Sequence, residues 1–334
     1  MLIQPKNESK PIPDLDVNGV AVSKVNNIVY LGDVFNDKGN NDALMDDRVK
    51  RGTATTVSIH GFMREVSLGF HTISVYLLLH NSILIPSVLF NSQAWSGITD
   101  KNISTISTIQ IRYLKKMLEV RQSTANAFLY LELGVLPIKF ELHKRQMSFL
   151  HHIVNLTEED PVKKVWRNQM NLPEHRNWWR DVEKLFVKYG LEFDEEGMVS
   201  MSKETYKKRV KMAVAKKALE ELLDENKGKK RTANWEYEKL ETQKYIRNLD
   251  PASARIIFKC RAKTLNIKSH MKFKYKEDLS CRWCGICEES LEHIVNCGQN
   301  THISEVDKSL QEMETEKLKE IAVRTREFLW KVEV

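Results

Sequence analysis

Four cysteines and one histidine crowd into a single short run, CRWCGICEESLEHIVNC, from Cys281 to Cys297. Cys281 and Cys284 have the spacing at which a tight turn aims two thiolates at one cation. His293 and Cys297 are four apart and so share one face of a short helix, which Ser290 is placed to cap. The ligands then read C-x2-C-x8-H-x3-C. Three thiolates and an imidazole complete a tetrahedral Zn²⁺ shell with no position left for water, so the zinc expected here is structural and not catalytic. The remaining cysteine, Cys260, stands apart, and nothing before it could form a disulfide framework. A reducing compartment is expected.

A second register exists. Cys284, Cys287, His293 and Cys297 read C-x2-C-x5-H-x3-C, a spacing near that of the zinc knuckles of retroviral nucleocapsids. Cys281 and Cys287 therefore compete for one coordination place; Cys281 is favoured and Cys287 stands as the alternative ligand.

Directly upstream, residues 254–276 (ARIIFKCRAKTLNIKSHMKFKYK) contain Arg255, Lys259, Arg261, Lys263, Lys268, Lys272, Lys274 and Lys276 and no carboxylate, with Phe258, Phe273 and Tyr275 interleaved. Basic side chains neutralise phosphates and release counterions, and aromatic rings offer stacking surfaces to unpaired bases. The stretch is expected to bind RNA or DNA, with those cations on phosphates and Phe273 and Tyr275 beside bases. The chain of 334 residues carries a net charge of +7, and this stripe alone accounts for the whole excess.

Other chemistries find no support. Leu44-Met45-Asp46-Asp47 looks like the x-Met-Asp-Asp of a polymerase, but two-metal chemistry needs further carboxylates from well upstream, and the preceding stretch is too short for a palm. Asp46 and Asp47 are more simply first-turn helix residues that suit the dipole. No nucleophile with a base, no phosphate loop and no open metal site is apparent, so no catalytic residue is assigned. The start, MLIQPKNESKPIPDLD, has no apolar core like that of a signal peptide. The apolar stretch from Ile73 to Phe90 is broken by His80, Asn81, Ser82 and Pro86, which favours a buried helix pair over a membrane span.

The elements that must position these residues are mainly α. Up to residue 38 the sequence alternates in short runs: Leu15, Val17, Val20 and Val22 around Asn18-Gly19, a two-residue hairpin signal, followed by a strand in NNIVYLGDVF. From Asp42 the pattern turns helical, with Gly61 and Gly69 as weak points or ends. Thr99 or Asp100 caps a run through Ile103, Ile106, Ile109, Tyr113, Met117 and Leu118. ANAFLYLELG ends at Gly134, and IKFELHKRQMSFLHHIVNL puts Phe140, Leu142, Met147, Leu150 and Ile153 on one stripe. A helical bundle, the thumb-like part of the resemblance given below, is expected over residues 39–160. A charged helical connector follows over 161–250, with Trp166, Trp178 and Trp179 among charges and KGKKR (Lys227 to Arg231) as a flexible join. The basic segment and knuckle take 251–300, and a helix 301–334.

Taken in order, these pieces resemble the C-terminal part of reverse transcriptases from non-long-terminal-repeat (LINE-like) retrotransposons. VYLGDVFNDKG is similar to the strand that closes the palm and forms the primer grip, DALMDDRVKRG to a helix with a recurring Asp (Asp46 or Asp47) and Arg48, and ILIPSVLFNSQAW to a thumb segment with Pro and Trp. LYLELGVLPIKFELHKRQMSFLHHI is similar to the helices after it. The chain then reaches the basic segment and the knuckle, with Glu289-Ser290 ahead of His293 as in the family.

The resemblance implies a nucleic-acid-binding region in which Tyr30, Leu31 and Gly32 are primer-grip elements and Arg261 with its lysine neighbours contacts phosphates. Its partners would be RNA or DNA and a separate catalytic reverse transcriptase chain, with no membrane and no small-molecule substrate. The family's catalytic carboxylates are absent, so polymerisation by this chain alone is not expected, and Mg²⁺ enters only with a catalytic palm. Incomplete copying from the RNA 3′ end, or a split gene, is the expected origin of a frame opening at Met1, and a nuclear location follows from the family's work at chromosomal DNA. The alternative is a stand-alone protein-interaction adaptor in which the knuckle is only a staple.

Overall fold

The computed structural model describes residues 16–21, 25–66, 72–172, 177–275 and 278–333. Leu15, Val22, Gly69 and Lys276 lie outside them. Among the described residues the protein is mainly helical, with four short strands in two antiparallel pairs. They divide into two compact units, each drawn from three stretches of sequence. One takes the residues up to Ser58, Ser82–Gln110 and Ile138–Val214; the other takes Ile59–Asn81, Ile111–Pro137 and the residues from Ala215 onward.

In the first unit, Asp16–Val17 pairs with Val20–Ala21 around Asn18 and Gly19, whose φ values of 53° and 81° are the two positive dihedrals of a type I′ turn. The next stretch was expected as one strand, but it folds back on itself. Asn27–Tyr30 pairs with Asp33–Asn36 across Leu31 and Gly32, at φ 48° and 85°. Leucine rarely accepts this conformation, because its Cβ crowds the following carbonyl. The turn is held from outside: Asn91 Nδ2 donates to the Leu31 carbonyl at 3.2 Å and Arg48 Nη2 to the Gly32 carbonyl at 3.0 Å. Arg48, on the helix Asp42–Glu65, is wholly buried, ion-paired with Asp33 and set near the rings of Phe90 and Trp95. Both faces of the hairpin's first strand stay open, with Val29, Tyr30 and Leu31 exposed by 64%, 63% and 74%.

Helix Asp42–Glu65 passes through Gly61 without stopping, since one interior glycine costs a helix only about 1 kcal/mol. Thr99 caps helix Asp100–Leu118 reciprocally: its Oγ1 accepts from Asn102 N at 3.2 Å, and Asn102 Oδ1 accepts from Thr99 N at 3.1 Å. Helix Ile138–Val154 buries the expected stripe of Phe140, Leu142, Met147, Leu150 and Ile153. It packs on the short turn Ser92–Ala94, where Gln146 Nε2 donates to the Trp95 carbonyl at 2.8 Å. The tryptophans of the charged middle are core residues. Trp166 and Trp179, from helices Pro161–Met170 and Trp178–Lys188, meet edge to face at 5.9 Å, and Phe193 sits 4.8 Å from Trp179.

The expected helix pair of Ile73–Phe90 is a single helical run, Thr72–Leu79 and Ile85–Val88 joined by a π-helical turn at His80–Leu84. Pro86 has no N–H to offer the carbonyl four residues back, and the widened turn accommodates it. No helix among the described residues is long and apolar enough to cross a membrane.

In the second unit, helix Asn126–Leu133 is buried from Ala127 onward, Glu132 included. Gly134 ends it at φ 62°, and a Cβ there would stand 2.2 Å from the backbone of Glu241 and Thr242, so only glycine allows that approach. Asp250 caps helix Pro251–Arg261, which packs on helix Thr315–Glu333. The KGKKR run, expected as a flexible join, is an ordered turn closed by a buried pair: Asn226 Nδ2 donates to the Thr232 carbonyl at 2.8 Å, and Thr232 Oγ1 to Asn226 Oδ1 at 2.7 Å.

Candidate metal centre and its basic flank

The knuckle is built from a turn and a short helix. Cys281 and Cys284 lie on a turn closed by Gly285 N donating to the Cys281 carbonyl at 2.8 Å, with Gly285 at φ 70°. That positive dihedral swings the next N–H groups back toward the Cys284 sulfur. The backbone N–H groups of Cys287 and Ile286 hold the Cys284 thiol down to about 6. Helix Leu291–Asn296 begins at Ser290, whose Oγ accepts from His293 N at 3.2 Å, and it ends at Cys297.

The ligand atoms of Cys281, Cys284, His293 and Cys297 all lie within 4.8 Å of one another. Cys281 Sγ is 3.9 Å from Cys297 Sγ, and Cys284 Sγ is 3.4 Å from His293 Nε2. A four-coordinate ion with bonds of about 2.0–2.3 Å would set its ligand atoms about 3.3–3.8 Å apart. The four side chains can therefore hold a metal ion, and they fill its shell, leaving no coordination position for a substrate. Burial, and then the neighbouring Cys281 thiol, pushes Cys297 up to about 12; a cation among the sulfurs would reverse that penalty by favouring thiolate. Cys287 is exposed and outside the group, while its carbonyl accepts from Cys281 N at 2.7 Å. The geometry gathers the Cys281 register.

Glu289 anchors the knuckle from behind. Fully buried, its carboxylate accepts from Arg282 Nε at 3.0 Å, Arg282 Nη2 at 2.7 Å, and the backbone N–H groups of Arg282 and Lys268 at 2.9 and 3.0 Å. Burial alone would raise its pKa, but these donors bring it below the ordinary carboxylate value. Trp283 packs toward Phe328 of helix Thr315–Glu333, and Lys331 Nζ lies 3.7 Å from its ring centroid. Only the position of Glu289 beside Ser290 hinted at this network; the pairing with Arg282 had no local signal.

The basic stretch does not present one continuous face. Arg261, expected among the phosphate contacts, is turned inward: its Nη2 lies 2.9 Å from Glu132 Oε1, and its Cζ sits 4.0 Å from the Trp235 ring centroid. Lys268 is also buried, with Nζ 2.7 Å from Asp278 Oδ2. Arg255 reaches Glu119 at 3.1 Å and the Met117 carbonyl at 3.0 Å. Lys259, Lys263 and Tyr275 are half-buried, whereas Lys272, Phe273 and Lys274 are exposed. Lys272 Nζ lies 3.6 Å from Glu288 Oε1, beside the knuckle. In the first unit, Tyr30, Leu31 and Gly32 form the tip of the second hairpin, and Asp47 is engaged by Arg51 at 2.7 Å.

Comparison of the chain with protein-family models, with curated proteins and with solved structures gave no match.

Proposed function

We propose that this chain is the nucleic-acid-binding C-terminal region of a LINE-like retrotransposon reverse transcriptase, stapled by zinc at Cys281, Cys284, His293 and Cys297 and unable to polymerise without a catalytic palm. The observation that carries the reading is the exposed Lys272-Phe273-Lys274 run set against the metal knuckle by the Lys272–Glu288 contact. Cations on either side of an open ring suit a strand whose phosphates and bases alternate. The soft, closed donor set suits zinc in a structural role. RNA or DNA is the partner, and Tyr30, Leu31 and Gly32 are primer-grip elements in this reading.

A second reading draws on the open apolar tip of the hairpin, where Val29, Tyr30 and Leu31 are exposed. In an adaptor that tip would dock a protein partner; in the first reading it belongs against a palm sheet. Titrating the full chain with labelled RNA and single-stranded DNA at rising salt separates them. The nucleic-acid reading expects binding that weakens steeply with salt, and no binding at low salt would leave the adaptor.

A further inference from the structure

Some arginines of the second unit are paired with a carboxylate and others, among the described residues, are not. Arg255, Arg261, Arg282 and Arg324 each meet a carboxylate, from Glu119, Glu132, Glu289 and Glu320. Arg121 and Arg231 meet none among the described residues. Arg231 donates to the carbonyls of Lys263 at 3.3 Å and His270 at 3.1 Å, and Arg121 Nη2 lies 3.0 Å from Met271 Sδ. Contacts with neutral acceptors orient a guanidinium without neutralising it, so both keep their charge for an anion.

Both guanidinium groups line one cleft of about 340 Å³, together with Ser123, Thr264, His270 and Phe273. That volume falls within the usual range of small-ligand pockets, about 300–1,000 Å³. Among the described residues no acidic side chain lines it. Thr264 Oγ1 and His270 Nδ1 are shielded from solvent and have no hydrogen-bond partner among the described residues. Such orphaned polar atoms cost about 1–3 kcal/mol each, which a ligand bonding to them relieves. Phe273, exposed by 72%, stands among these residues with its ring open.

We propose that this cleft is a subsite for one nucleotide of an unpaired strand, with Arg121 and Arg231 on the phosphate, Phe273 stacked on the base, and Thr264 Oγ1 and His270 Nδ1 bonding to the nucleotide held between them. The proposal rests on the nucleic-acid reading above and narrows it to single strands, because bases stacked within a duplex have no face to offer Phe273.

The test compares the wild-type full chain with Phe273→Leu, Phe273→Trp and the Arg121→Gln/Arg231→Gln pair, binding a labelled oligonucleotide as single strand and as duplex. Phe273→Leu should weaken single-strand binding by about tenfold and leave duplex binding unchanged, and Phe273→Trp should restore it. The arginine pair should flatten the slope of log K against log salt on the single strand by about 0.7 for each phosphate no longer neutralised. If the wild type binds strands and these variants match it, or if single-strand and duplex binding fall alike in Phe273→Leu, the subsite is wrong while the nucleic-acid reading stands. If the wild type binds no strand, both fall. A free nucleoside monophosphate that binds the wild type as tightly as the strand does would also overturn the proposal, since it would mark a mononucleotide site.

Discussion

Arg261 and Glu132 are 129 residues apart in sequence and form a buried ion pair, with Arg261 Nε 3.0 Å from Glu132 Oε2 and Nη2 2.9 Å from Oε1. Tyr237 and Tyr245 add their hydroxyls to the same carboxylate. Burial, and then the Glu132 charge, raises both tyrosine pKa values. Burial alone would lower the pKa of Arg261, but the carboxylate outweighs it. Truncating one partner leaves a buried charge uncompensated, so Glu132→Gln should lose about 3–5 kcal/mol in urea denaturation. Arg261→Lys should not rescue the fold, because an ammonium cannot make the two-pronged contact. The double variant Glu132→Gln/Arg261→Met should recover much of the loss, and purely additive losses would show that the pair is not coupled.

The metal centre makes a sharp distinction between two neighbouring cysteines. Zinc content per chain should be one ion in the wild type and in Cys287→Ser, and none in Cys281→Ser or Cys284→Ser. Structural zinc supplies folding free energy directly, so chelation should also release amide protection along Leu291–Asn296. Retention by Cys281→Ser with loss in Cys287→Ser would put the other register in charge.

His60 links stability to pH. It is buried at 3% exposure, with Nδ1 3.2 Å from the Tyr76 hydroxyl. Burial, and then the positive charges of Lys116 and Arg64, draws its pKa from 6.5 down to about 4. In the folded chain the ring stays neutral while the unfolded chain protonates below about 6.5, so its contribution is complete above that pH. It is lost as pH falls toward 4, by on the order of 3 kcal/mol in all. His270, also drawn down to about 4 by burial and then by Arg231 and Lys263, acts in the same window. Urea midpoints measured across that range should fall less in His60→Phe than in the wild type; parallel curves would refute the assignment.

What the sequence made legible was local. The Cys and His spacing, the Ser290 cap, the Asn18-Gly19 turn, the Gly134 stop and the Ile138–Val154 stripe all depend on neighbours within a few residues, and each appears in the structure. The misses share the opposite property. Nothing near Leu31 marks a left-handed residue, because Arg48 and Asn91 hold that turn from far along the chain. A carboxylate-free window around Arg261 looked like an open phosphate face because its acid, Glu132, sits outside any such window. The turn at KGKKR looked loose because its closing pair, Asn226 and Thr232, flanks the run and does not lie in it.

The distance between Glu132 and Arg261 also sets a clock. Translation at about 5–20 residues per second delivers Arg261 on the order of ten seconds after Glu132. Until then the helix Asn126–Leu133 emerges with Phe128, Leu129, Leu131 and Leu133 uncovered around a carboxylate that has no counter-charge. The second unit is therefore a late assembly, its first two stretches waiting on the last, and the basic segment that brings the knuckle is also the segment that closes its core.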